Sequence, residues 1–351
     1  VRFFEHQDEA RRATRKLVAG FVLAVLATVA GVHTALALGW LALRLLLGGD
    51  LPFPAYFFSV NVGVTLLLVL GGWWIETSAL HAGGAARRLA RRAGAREARP
   101  GVSHAEQRLC NVVDEIAIAA SMPRPQAMVL PRVHGINAFA TGWHADDAVV
   151  AVTQGALDKL TREELQGMVA HECSHIHEGD THLNMQLAGM VSGLELVHHF
   201  GITLCEHGGL AQLVGWPVRL MGSFGWLAGR MLQAAVSRQR EFLADARTVQ
   251  WTRSRDGLGG VLRKAMTEQG LAREQRERQR PLHPALHHLL LVSDGGRGSM
   301  WLDAHPPLAE RVRRIYGRPM PALPLAAVDE GPEPRAAHRP APVVDGPFTL
   351  V

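Results

Sequence analysis

"VAHECSHIHEGD", residues 169–180, sits near the middle of a 351-residue chain that begins with two long apolar runs. Within it, His171-Glu172-x-x-His175 sets two imidazoles four residues apart. On a helix both rings share one face, and Glu172 lies about 100° round the axis. A His-Glu-x-x-His pattern arises by accident only about 0.05 times in a chain of this composition. Thr161 with Glu164 forms a capping-box signature for a helix running through the motif. The stretch is thus either a solvated helix rich in histidine or part of a metal site. Two imidazoles do not complete a tetrahedral site, so the decision turns on a third protein ligand.

The best candidate is Glu241 in "SRQREFLADA", residues 237–246, a run of helical character. Asp245 follows at i+4 on the same face and can accept a hydrogen bond from the second ring nitrogen of a ligating histidine. Competing ligands are His177, His182, His198, His199 and His207. His177 points about 160° away from the His171–His175 face. His182 is expected on the same helix, two turns past His175. His198 and His199 lie in an apolar run, where a polar side chain within a helix is the plainer reading.

Ahead of the motif, residues 103–122 read as a helix, with Ser103 and Glu106 as its cap. "PRPQAMVL" and "AVVAVT" read as short strands flanking the loop "GINAFATGWHADD". At the front, residues 17–43 and 55–75 carry no charged side chain, each long enough to span a bilayer as a helix. A cleaved signal peptide would explain the first run, but apolarity continues to Leu47 and the second run follows at once. Basic residues precede the first run (Arg2, Arg11, Arg12, Arg15, Lys16) and follow the second (Arg87, Arg88, Arg91, Arg92, Arg96, Arg99). The connecting loop holds only Asp50, with Arg44 just before it, so both ends are expected in the cytoplasm. The arginine cluster reads as a solvated amphipathic helix able to meet anionic headgroups.

Bulk composition narrows the rest. The net charge is +5, but only Lys16, Lys159 and Lys264 are lysines, and no basic–aromatic binding pattern appears, so nucleic acid is not an expected partner. Three well-separated cysteines suggest reduced thiols rather than a disulfide framework.

Four segments in order, "NAFATG" at 137–142, "VAHECSHIHEGD" at 169–180, "SRQREFLADA" at 237–246 and "HPPLAERVRRI" at 305–315, give the chain its kinship. Together they resemble the HtpX-like and CAAX-prenyl-protease-like integral-membrane zinc metallopeptidases, a gluzincin group. The resemblance covers roughly residues 105–316. It implies a mainly α fold with a small β-sheet, a zincin-like domain behind an N-terminal transmembrane hairpin. It implies one zinc ion held by His171, His175 and Glu241, with Glu172 as general base and His305 as oxyanion donor. Asn137, Ala138 and Phe139 would lie on an edge strand that pairs with extended substrate. Cys173 departs from the small or aliphatic residue expected there. The segment from 317 to 351 matches nothing in the family and reads as a disordered Pro/Ala-rich tail.

The expected organisation is a basic N-terminus (1–16), a transmembrane hairpin (17–78), a basic linker (79–102), a peptidase domain (103–316) and the tail. Within the domain, residues 185–236 form a hydrophobic helical insertion, read either as a pair at the interface or packed on the hairpin, or as a second full hairpin. The expected function is a zinc endopeptidase of the bacterial inner membrane, facing the cytoplasm and acting on protein substrates, above all damaged membrane proteins. A prenyl-protein protease requires a lipidated substrate, against which prokaryote-like composition and few spans argue. A silent zinc-bearing scaffold would usually fill all four metal positions with protein, against which the intact Glu172 argues. The sequence does not specify an oligomeric state.

Overall fold

The computed structural model describes residues 2–49, 52–78, 84–142, 145–275, 303 and 305–325. Asp50 and the tail from residue 326 lie outside the described residues. The chain builds two bodies of side chains: a helical bundle at the front and centre of the sequence, and an α+β domain that carries the motif.

Four helices make the bundle: α1 (Arg2–Leu46), α2 (Phe57–Ser78), α7 (Asp180–Glu206) and α8 (Leu210–Thr252). Among the described residues three stretches are long and apolar enough to cross a membrane: Ala19–Leu46 of α1, all of α2, and all of α7. The fourth helix is amphipathic. Leu213, Trp216, Leu220, Phe224, Leu227 and Met231 recur at three- and four-residue spacing along α8 and are exposed, as on a lipid-facing stripe. The opposite side of α8 packs on its neighbours, Val218 meeting Val32, Val69, Leu194 and Val197 in a shared core. Between membrane helices there is little hydrophobic drive, so close packing must supply the attraction. Small residues allow it. A Cβ at Gly222 would stand 2.7 Å from the backbone nitrogen of His198, and one at Gly72 would stand 2.8 Å from the Cα of Gly193. The insertion at 185–236 therefore packs on the first hairpin.

The α+β domain holds a four-stranded sheet of order β1-β2-β4-β3, from β1 (Arg96–Glu97), β2 (Gln126–Leu130), β3 (Ala138–Thr141) and β4 (Val149–Thr153). β2 and β4 run parallel, and the outer pairs are antiparallel. Alternation sends Val150 and Val152 to one face and Val149 and Ala151 to the other. The first face carries α4 (His104–Ala119), α5 (Gln154–Lys159), α6 (Arg162–His177), α9 (Asp256–Gln275) and α10 (Leu308–Tyr316) in one core. The second is covered by α3 (Ala85–Arg92) through Ala86 and Ala90. Both faces are buried, which is why β4 reads as an unbroken apolar run.

Several expectations need amendment. Glu106 does not cap α4: Arg96 takes its carboxylate in two hydrogen bonds, 2.8 and 2.5 Å, and the Arg99 N–H adds a third. The capping box at α6 is present, Thr161 accepting from the Glu164 N–H and donating its own N–H to the Glu164 carboxylate. His182 is not on the motif helix. α6 ends at His177, and Gly179, at φ 72°, turns the chain into α7. The loop of residues 135–147 contains β3, and the basic stretch at 79–102 carries α3 and β1. Residues 317–325 follow α9: Arg263 donates to Pro321 O and Thr267 to Leu323 O.

Candidate metal centre

α6 places His171 and His175 on one face, and α8 brings Glu241 across to them. The two Nε2 atoms are 3.1 Å apart. His171 Nε2 is 3.4 Å from Glu241 Oε2, and His175 Nε2 is 3.6 Å from Glu241 Oε1. Ligands at about 2.0–2.1 Å in tetrahedral array are separated by roughly 3.3–3.4 Å, so the spacing fits one zinc-sized ion. Among the described residues this is the one trio of histidine, cysteine or carboxylate groups that converges in this way. Glu241 is buried, so its charge has to be met by cations inside the site.

The second ring nitrogens are held by carboxylates. His171 Nδ1 lies 3.2 Å from Asp245 Oδ1, one turn beyond Glu241 on α8. His175 Nδ1 lies 3.0 Å from Asp180 Oδ2, the first residue of α7, and Arg240 pairs with the other Asp180 oxygen at 2.8 Å. From α10, Arg311 reaches in fully buried, 3.0 Å from Glu241 Oε2 and 2.6 Å from Asp245 Oδ1. Four buried carboxylates (Glu172, Asp180, Glu241, Asp245) face two guanidiniums (Arg240, Arg311).

Electrostatics follow from this crowding. Burial opposes charging His171, but Asp245 and Glu241 prevail and push it up to about 9. Burial raises Glu172, with the neighbouring imidazoles pulling the other way. Glu241 stays well below the usual carboxylate range: burial opposes this, but His305 and Arg311 outweigh it. Burial pushes the Cys173 thiol up, leaving it an inert core side chain in α6.

His305 is buried just before α10, with Nδ1 3.0 Å from Glu241 Oε1. Asn137 leads into β3, one of the two edge strands of the sheet. Thr153 N–H donates to Asn137 O and Asn137 N–H to Thr153 Oγ1, so alternation turns the backbone groups of Ala138 and Ala140 away from β4. Asn137 Oδ1 takes the outward Ala138 N–H at 3.0 Å. The Phe139 side chain is packed beneath the sheet and its backbone faces Ala151 of β4, so neither is turned to the outer edge. A half-buried clamp fixes the approach to this strand: Glu268 of α9 accepts the Ile136 N–H at 2.8 Å and pairs with Lys159 at 2.5 Å.

The other histidines are elsewhere. His177 stacks edge-on against Trp251, His182 bonds Gln186, His198 bonds Arg219 O, His199 is exposed on α7, and His207 bonds Thr203 O. Sequence reasoning missed Asp180, Arg240 and Arg311. Arg311 left a signal, a charged residue within the apolar stripe Leu308, Val312 and Ile315 of α10.

Helices long and apolar enough to cross a membrane, joined to a buried His-Glu-x-x-His helix, define a membrane-anchored metalloprotease. Residues 103–318 match peptidase family M48, and the chain belongs to that family. The chain is similar to a Protease HtpX homolog of Streptococcus uberis, 31% identical over 219 residues, 58% of this chain and 71% of the relative. It is similar also to a Protease HtpX homolog of Salinibacter ruber, 32% identical over 61% of this chain and 75% of the relative. Protease HtpX of Legionella pneumophila is 32% identical over 58% and 74% of the two chains. No solved structure matches the chain.

Proposed function

We propose that the chain is a zinc-dependent endopeptidase in which His171, His175 and Glu241 hold one zinc ion and Glu172 is the general base. The convergence of the three ligand groups at 3.1, 3.4 and 3.6 Å carries the reading. A neutral-imidazole and carboxylate donor set suits zinc. When bound, the ion supplies Lewis-acid polarisation of a carbonyl and acidification of water. Glu172, beside His171 on α6 and raised by burial, takes the proton from the attacking water and delivers it to the leaving amine. Asp245 and Asp180 orient the two rings, and Arg311 holds Glu241 and Asp245 in register. His305, whose buried Nε2 has no hydrogen-bond partner among the described residues, would donate to the developing oxyanion, a role worth about 3–4 kcal/mol. An extended peptide would pair with Ala140 on the outer side of β3. Residues 138–141 are buried in this conformation, so the edge must be uncovered first. Purified full-length protein is expected to carry about one zinc per chain and to cleave an unfolded protein such as casein. Chelation should stop hydrolysis and added zinc restore it; full activity in a metal-free preparation would overturn the reading.

The proposed setting is the bacterial inner membrane, crossed several times, with the α+β domain in the cytoplasm. If α7 crosses the bilayer, α8 must cross back, because Glu241 on α8 meets His171 on α6. Positive charge after α2 favours the cytoplasm for that side. The site then opens where α7 enters the membrane, since Asp180 is its first residue. That position favours membrane proteins as substrates, including damaged or misassembled ones. A reporter after Arg99 should be cytoplasmic, and reporters at Gly49 and Gly208 exported. Opposite labelling at Arg99 would move the site to the other face.

A further inference from the structure

The chain's net charge is +5, and residues 79–102 alone hold six arginines against one acidic residue, Glu97. The other 327 residues therefore balance to zero. The fold gives this charge a direction. Ala85, Ala86 and Ala90 bury one face of α3 against the sheet, so Arg87, Arg88, Arg91 and Arg92 all lie exposed on the other. Arg91 meets Glu97 at 2.9 Å, and Arg87 donates to Gln126 at 2.7 Å, which holds the helix and its arginines in one orientation. Ala85 comes seven positions after Ser78, the last residue of α2, so α3 begins no more than about 25 Å from that candidate membrane-crossing helix.

We propose that α3 is a docking face for anionic phospholipid headgroups of the leaflet in which α2 ends. Guanidinium groups pair with phosphate in two parallel hydrogen bonds, which favours arginine over lysine for this contact. The face is basic, fixed, and tethered near a surface of opposite charge. Docking would fasten the sheet side of the domain to the membrane, in addition to the covalent ties at α2, α7 and α8. The proposal concerns lipid contact alone and stands apart from the peptidase chemistry.

The test uses the full chain in nanodiscs of phosphatidylcholine alone or with about one-third phosphatidylglycerol, reading hydrogen exchange of residues 85–95. Each surface arginine favours the docked state about fivefold, so several together shift it on the order of 100-fold. Exchange across α3 should slow at least tenfold in the anionic discs, and the effect should vanish in 1 M salt, where the screening length is about 3 Å. R87Q/R88Q/R91Q/R92Q should abolish the lipid dependence, and the matching lysine variant should keep most of it. The wild-type comparison between lipids needs no variant and decides the matter even if the glutamine variant misfolds. Equal exchange in both lipids would overturn the proposal. So would protection by short RNA in phosphatidylcholine discs with none from phosphatidylglycerol, which would reassign the face to nucleic acid.

Discussion

Glu172→Gln is expected to lower the rate of peptide hydrolysis by about 10²- to 10⁴-fold, while zinc content stays near one per chain. The side chain lies beside a ligand on α6 without belonging to the converging trio, and it is almost fully buried. Glutamine keeps its volume and hydrogen-bonding reach but cannot take up a proton. A large loss of kcat with metal retained is therefore the signature of a base. Metal analysis and steady-state kinetics on the same preparation check it, and substantial activity in a zinc-loaded variant would remove Glu172 from its role.

Loss of the third ligand should act on the metal itself. Glu241→Ala is expected to strip zinc under mild chelation and to abolish turnover, because it deletes a metal bond and leaves the buried Arg311 without one of its two carboxylates. Asp245→Asn should bind zinc about 10- to 100-fold more weakly, since it loosens the hold on His171 without touching the ion. His177→Ala should behave as the unsubstituted chain, its ring being packed on Trp251 outside the site. Zinc affinity measured by competition with a chromogenic chelator ranks the three. A filled site in Glu241→Ala, or an empty one in His177→Ala, would show that the ligand set is wrong.

Local rules made some of this architecture legible and hid the rest. His171 and His175 could be placed together because helical spacing alone puts i and i+4 on one face. The bundle's first two helices follow from uncharged runs long enough for a bilayer. α8 was harder: Arg219 and Arg230 interrupt its apolar run, and only contact with α1, α2 and α7 explains how the segment is accommodated. The end of α6 was misjudged because the helical pattern continues through Asp180 and His182, and Gly179 breaks it by one backbone angle. β3 was hidden in a loop rich in small residues, since its pairing with β4 is a tertiary choice. Asp180 and Arg311 come from separate helices, and nothing in their own neighbourhoods points to His175 or Glu241. A charge on the buried stripe of α10 was the one local clue.

Glu241 shares a single unbroken helix with the exposed Trp216, 25 residues or about 38 Å earlier. His175, through Asp180, is coupled to the first turn of α7, which packs against that same helix in the bundle. An ion bridging α6 and α8 would therefore bind a pair of supports whose far ends pack within the bundle. By linkage, the work of prising α7 from α8 enters the ion's dissociation constant, and the ion in turn resists their separation. If the bundle spans a bilayer as proposed, bilayer thickness and detergent choice become thermodynamic variables of the site.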